Sequence, residues 1–188
     1  MDFSSENLWK AIADEKMVDI EPQKSIRRIP KPGDIFATKV LGHGWVPVQV
    51  MQMNPALGTD TSLTLGNEEC FLVYIYNIIA ESIEFDVTKI RPDNLLAPPL
   101  VLNRELWTCK YFVRVKNIEL DESSFVQQHC FWDLGKHVFH DTFGRSIETM
   151  TWPCATSAVT LRNGFAKILH KSLRTGFNQQ LNPFEFVE

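Results

Sequence analysis

The stretch from Pro30 to Gln52, PKPGDIFATKVLGHGWVPVQVMQ, decides the fold. Two extended runs flank Gly42-His43-Gly44. In the second run Val46, Val48 and Val50 point one way, and Trp45, Pro47, Gln49 and Met51 point the other. That period-two alternation is the pattern of a half-buried strand. The glycines supply the positive φ that a tight reversal needs. Pro30 and Pro32 disfavour helix just upstream, so an antiparallel ladder is expected to begin at Gly33. No catalytic signature lies within it.

Working outward, the run Cys70 to Ile79, CFLVYIYNII, is apolar on both faces. Such a strand is normally central and covered on both sides. Phe71, Val73, Ile75 and Ile79 are therefore expected in the core. Asn54 to Glu69 is polar and turn-rich and reads as a long loop. The prolines of Leu95-Leu96-Ala97-Pro98-Pro99-Leu100 interrupt helix or central strand. Tyr111 to Ile118 alternates again, Phe125 to Trp132 forms another strand, and Ser146 to Trp152 a weaker one. Ser4 or Ser5 caps a helix running to about Met17, with Leu8, Trp9, Ile12 and Ala13 on one face. That face either covers the sheet or docks a partner through Trp9. A linker, Asp19 to Lys31, carries Lys24, Arg27, Arg28 and Lys31. A closing helix spans about Ser157 to Thr175, with Leu161, Phe165, Ile168, Leu169 and Leu173 as its apolar stripe and Gly176 placed to end it.

Consecutive strands flanked by helices define an α+β chain, with a central antiparallel sheet or small barrel between an N-terminal and a C-terminal helix. At 188 residues it is one domain. Residues 1–30 are the N-terminal helix and linker, 31–152 the β-rich core, and 153–188 the C-terminal helix and tail.

Composition narrows the function. The chain is 44% hydrophobic and 22% charged, with thirteen Phe and five Trp, which suits an ordinary packed core. Its formal charge of −4 argues against nucleic acid as the main ligand and suits a basic protein partner. Cys70, Cys109, Cys130 and Cys154 form no C-x-x-C motif, and the N-terminus lacks the basic start and apolar run of a signal peptide. The expectation is a cytoplasmic protein with free thiols. No apolar run is long enough to span a bilayer.

The segments PKPGDIFA (Pro30 to Ala37), GWVPVQV (Gly44 to Val50), FLVYIY (Phe71 to Tyr76), LLAPP (Leu95 to Pro99) and the lead from Trp107 to Tyr111 resemble the bacterial immunity protein 26 family of polymorphic toxin systems. The resemblance covers roughly residues 30 to 120. Gln49 stands where that pattern has a basic residue. The resemblance implies a cytoplasmic protein that binds and neutralises a cognate toxin, without catalysis or cofactor.

For that function the candidate partner-binding residues are acidic: Glu81, Glu84, Asp86 and Asp93, or Glu119, Asp121 and Glu122. An acidic face raises the on-rate for a basic toxin and occupies its phosphate-binding groove. The same residues also read as solubilising loop charges. A second class is an adaptor for nucleic acid or peptide, with Arg162, Lys167, Lys171 and Arg174 of the last helix as its contact. A third is a metal-dependent enzyme using the cluster His129, Cys130, Asp133, His137, His140 and Asp141. Its spacing matches no standard zinc arrangement, and His129 and Cys130 face opposite sides of a strand. Two ordinary strands with exposed histidines fit better. A thiolate at Cys130 activated by His137 or His140 is the corresponding nucleophile reading. Asp34 reads as a strand-opening carboxylate that bonds nearby amides rather than a catalytic one.

Overall fold

The computed structural model describes Ile20, Pro22 and residues 29–56, 69–133 and 135–175. The expected N-terminal helix with Trp9, the linker cations Lys24, Arg27 and Arg28, and most of the Asn54 to Glu69 loop lie outside the described residues.

The opening hairpin forms as its sequence dictates. β1 (Asp34–Val40) and β2 (Gly44–Met53) pair antiparallel, from Ile35 opposite Gln49 to Val40 opposite Gly44. Gly44 has φ +114°, and a Cβ there would lie 2.5 Å from the carbonyl oxygen of Ala80. Only glycine allows the hairpin and residues 79–80 to approach so closely. β3 (Cys70–Ile75) pairs with β2 on one side and with β4 (Leu100–Asn103) on the other. A four-residue helix, α1 (Glu105–Thr108), leads to β5 (Val113–Asn117), which returns beside β1.

A second, smaller sheet follows. It contains β6 (Cys130–Asp133), β7 (Val138–His140), β8 (Ser146–Ile147) and β9 (Cys154–Thr156), in the order β8-β7-β6-β9. β10 (Val159–Thr160) then joins the edge of the first sheet, whose order is β10-β4-β3-β2-β1-β5, and α2 (Arg162–Thr175) ends the described chain. The architecture is α+β, with two sheets and ten strands among the described residues. The sheets are not wholly antiparallel, as β10 runs parallel to β4 and β9 parallel to β6.

β3 lies third in its sheet and is completely buried, as its apolar faces demand. One face, with Phe71, Val73 and Ile75, joins Phe36, Val46, Val48, Val50, Trp107, Phe112, Phe165 and Leu169 in the first core. Trp107 is its centre, with ring centroids 4.9 Å from Phe71, 4.8 Å from Phe112 and 5.7 Å from Phe36. α2 closes this side. The other face, with Leu72, Tyr74 and Tyr76, packs with Met51, Leu95, Phe131 and Ala155 in a second core closed by the small sheet.

Several sequence expectations change. β2 is not half-buried, because the second core covers Pro47, Gln49 and Met51 as well. β3 stops at Ile75. Tyr76 keeps one bond to β2, its N–H donating to the Pro47 carbonyl at 3.1 Å, and an isolated bridge to Leu95; at Asn77 the chain turns away, its N–H donating to the Asn94 carbonyl at 2.9 Å. Ile79 is consequently 51% exposed and no core residue. The strand expected from Phe125 begins only at Cys130, because residues 122–124 form a 3-10 turn. The weak strand at Ser146 is two residues long. The last helix starts at Arg162 rather than Ser157, since Val159 and Thr160 are drawn into the ladder beside β4. Leu161 then falls outside the helix and is 46% exposed, while Phe165 and Leu169 are buried.

Truncating a fully buried central side chain leaves a cavity, so Ile75→Ala is expected to cost about 2–5 kcal/mol in chemical denaturation. Ile79→Ala, on the exposed continuation of the same apolar run, should stay within about 0.5 kcal/mol of the parent. Equal losses at both positions would contradict the observed end of β3.

Candidate functional site

The acidic segments are built on apolar feet. After β3 the chain runs over residues 77–94 with alternating exposure. Ile83, Phe85, Val87 and Ile90 are partly buried, while Glu81, Glu84, Asp86 and Asp93 are exposed. Phe85 and Ile90 pack on the second core, which fixes the segment and turns its carboxylates to solvent. Backbone bonds hold both ends. Trp45 and Ala80 exchange N–H···O bonds of 2.7 and 3.0 Å, and the Leu96 N–H reaches the Ile75 carbonyl at 2.7 Å. Asp86 caps a 3-10 turn, Val87–Lys89, accepting from the N–H and hydroxyl of Thr88 at 3.0 and 2.7 Å.

The second acidic segment has the same design. Leu120, Phe125 and Val126 pack on the same core, and Asp121 caps the turn Glu122–Ser124 in a capping box with Ser124. Bonds from Thr88 hold the Asp86 carboxyl below the usual carboxylate range, and bonds from Ser123 and Ser124 do the same for Asp121.

Both segments thus stand on one side of the main sheet, the side opposite α2. Across residues 81–93 and 119–122, seven carboxylates face two cations, Lys89 and Arg91, leaving −5 where the whole chain carries −4. Arg91 is paired with Asp93 at 3.1 Å. The carboxylates of Glu81, Glu84, Glu119 and Glu122 make no hydrogen bond or ion pair among the described residues. Beside Glu81 lies an aliphatic element that sequence reasoning missed. Leu41, in the hairpin turn, is 49% exposed and Ile79 51%. The Ile79 Cγ2 lies 3.7 Å from where a Gly44 Cβ would be, so this side chain flanks the hairpin tip.

The His/Cys cluster is dispersed by the small sheet. His129 precedes β6 and is largely buried, its ring between Tyr74, Phe125 and Phe131. The Val126 N–H donates to the Tyr74 oxygen at 3.0 Å, and the Tyr74 hydroxyl meets His129 Nε2 at 2.6 Å. Burial lowers the His129 pKa from 6.5 to about 4, against the opposing pull of the Asp141 carboxylate. His140 is also buried, stacked on Phe131, with Nδ1 3.0 Å from the Asp141 carbonyl. The expectation of exposed histidines therefore holds for His137 alone; the second core reaches the other two.

Asp133 accepts from the N–H groups of Gly135 and Lys136, and Asp141 from those of Phe143 and Arg145, so both carboxylates serve as loop ties. Phe131 is paired with His140, which puts His140 and Cys130 on opposite faces of the small sheet. Cys130 instead meets Cys154, a partner that spacing alone did not suggest. Among the described residues no three of His, Cys, Asp and Glu come together as a metal site.

Asp34 is more than a local cap. It accepts from the Lys31 N–H at 3.0 Å, from Arg114 at 2.9 Å and from the Asn117 amide at 3.1 Å, clasping β1 to β5. Burial alone would raise its pKa, but the bonds from Arg114, Asn117 and Lys31 outweigh it and hold the carboxyl ionised. Gln49 is buried and accepts from the Tyr76 hydroxyl at 2.6 Å. The cations Arg162, Lys167, Lys171 and Arg174 lie along α2, across the main sheet from the acidic segments; Arg162 donates to the Tyr111 hydroxyl at 2.8 Å.

No family model matches the chain, and neither does any curated protein or solved structure. No helix among the described residues is long and apolar enough to cross a membrane.

His129 makes stability depend on pH with a definite sign. Its folded pKa of about 4 lies below the unfolded value of 6.5, so between the two the unfolded chain binds the extra proton. The contribution is full above pH 6.5 and is lost as pH falls towards 4. Between about pH 7.5 and pH 5 it should cost the parent about 2 kcal/mol, a loss that His129→Gln should largely remove. Urea titrations at the two pH values check this; equal slopes for both proteins would refute it.

Proposed function

We propose that this chain is a non-catalytic binding protein that neutralises a basic protein toxin in the cytoplasm, as the resemblance of its central segments to the bacterial immunity protein 26 family implies. The observation that carries this reading is the acidic side of the main sheet. Two segments with a local charge of −5 are seated on one core by Phe85, Ile90, Leu120, Phe125 and Val126. Anchored carboxylates need little ordering on association, which lowers the cost of binding. Their field attracts a basic partner and speeds encounter. Leu41 and Ile79 add exposed aliphatic surface beside Glu81, the kind of contact that slows release once water is excluded.

The cognate partner in this reading is a toxin domain encoded next to this chain. Co-expression should rescue growth, and the two proteins should co-purify. Reversing Glu81, Glu84 and Asp86 together to Lys should lower the association rate about tenfold at low salt and change dissociation much less. Ile79→Asp should mainly speed dissociation. Surface plasmon resonance separates the two effects. Unchanged binding by the triple variant would place the interface elsewhere. Failure of the parent to bind or protect would end the immunity reading. Binding to DNA with a steep logarithmic salt dependence would favour the adaptor reading through α2 instead.

A further inference from the structure

Cys130 and Cys154 occupy directly paired positions on β6 and β9, which run parallel. Directly paired residues on neighbouring strands leave the sheet on the same side. Neighbouring strands lie about 4.7–4.9 Å apart, within the roughly 4.4–6.8 Å that a disulfide requires between Cα atoms. The two sulfurs are 3.0 Å apart, and both thiols are free. The residues are 1% and 0% exposed. Cys70 lies in the second core and Cys109 is exposed, so neither belongs to this pair.

The geometry points to Cys130 and Cys154 as a dithiol that a small peroxide converts to an intramolecular disulfide, clasping β9 to β6. Burial selects the oxidant, because hydrogen peroxide is barely larger than water whereas bulky disulfides cannot reach the sulfurs without opening the sheet. Contact with Cys154 draws the Cys130 pKa down to about 7, while the same contact and burial push Cys154 up. Cys130 is therefore the thiolate that reacts first. Its sulfur attacks one peroxide oxygen, the O–O bond breaks, and the departing hydroxide takes a proton to leave as water. The resulting sulfenic acid at Cys130 is attacked by the Cys154 sulfur. The S–O bond breaks, the S–S bond forms, and a second water departs with the remaining thiol proton. Two electrons from the dithiol have reduced one peroxide to two waters.

The bridge closes a loop between residues 24 positions apart, which includes β7 and β8. Such a loop restricts the unfolded chain and tightens the layer that covers Tyr74 through Phe131 and Ala155. It thus acts on the small sheet and leaves the acidic segments chemically untouched.

The test uses the whole protein purified under reductant, with reductant removed before addition of hydrogen peroxide. After unfolding and alkylation, two of the four thiols should be lost. The intact mass should fall by two hydrogens, and proteolysis should yield a peptide pair linking Cys130 to Cys154. Dithiothreitol should restore all four thiols. The oxidised form should melt roughly 5–10 °C higher than the reduced form. In Cys154→Ser the reaction should stop at a Cys130 sulfenic acid that dimedone traps. The mapping of the parent decides the matter if that variant does not fold. The proposal is overturned if both cysteines still alkylate fully after peroxide. Separate oxidation of each to sulfinic acid overturns it too, as does a linked peptide that joins other cysteines.

Discussion

The structure depends on one constraint: β3 is apolar on both faces and must be covered twice. A strand with one apolar face can leave the other to water, but burial of Phe71, Val73 and Ile75 on one side and Leu72, Tyr74 and Tyr76 on the other calls for a layer on each. α2 and α1 supply the first layer, through Phe165, Leu169 and Trp107. The small sheet supplies the second, through Phe131 and Ala155. The two tyrosines give that second layer a polar component. Burial pushes both phenols above their usual range, so they remain protonated. Each buried hydroxyl needs a partner, and Gln49, His129 and the Val126 amide provide them. The segment leading into the small sheet is therefore docked by hydrogen bonds as well as by apolar area.

The same arrangement separates the charges. The connections that must cross the Tyr74 face, residues 77–94 and 118–129, put apolar residues inward, and their acidic residues point outward. α2 covers the other face and carries Arg162, Lys167, Lys171 and Arg174. An acidic side and a basic side thus follow from which segment covers which face. The proposed binding role uses this polarity: the covered sheet is the rigid support, and the anchored carboxylates are its recognition surface.

Much of the first sheet was legible in the sequence. Alternation over Val46, Val48 and Val50, the glycines at 42 and 44, and the two-faced run at 70–75 are local signals, and each produced the expected element. Exposure of the acidic residues was legible too, since charged residues at loop positions seldom find burial. Less legible were the ends of elements. Nothing local in Ile78-Ile79 says that the strand has stopped, because the chain leaves the ladder through a bond from Asn77 to Asn94. Likewise Val159 and Thr160 fit a helix or a strand until β4 offers them a free edge.

The sequence by itself determined the hairpin, the central strand and the mixed α+β character, because period-two and period-3.6 patterns are written in neighbouring residues. Tertiary structure alone decided the parallel pairings of β10 with β4 and β9 with β6, and with them the meeting of Cys130 and Cys154. It also joined Asp34 to Arg114 across 80 positions, buried His140, seated His129 among the rings of Tyr74, Phe125 and Phe131, and set Ile79 beside the hairpin tip. These features depend on which distant segments cover the two faces of β3, and no local periodicity carries that information.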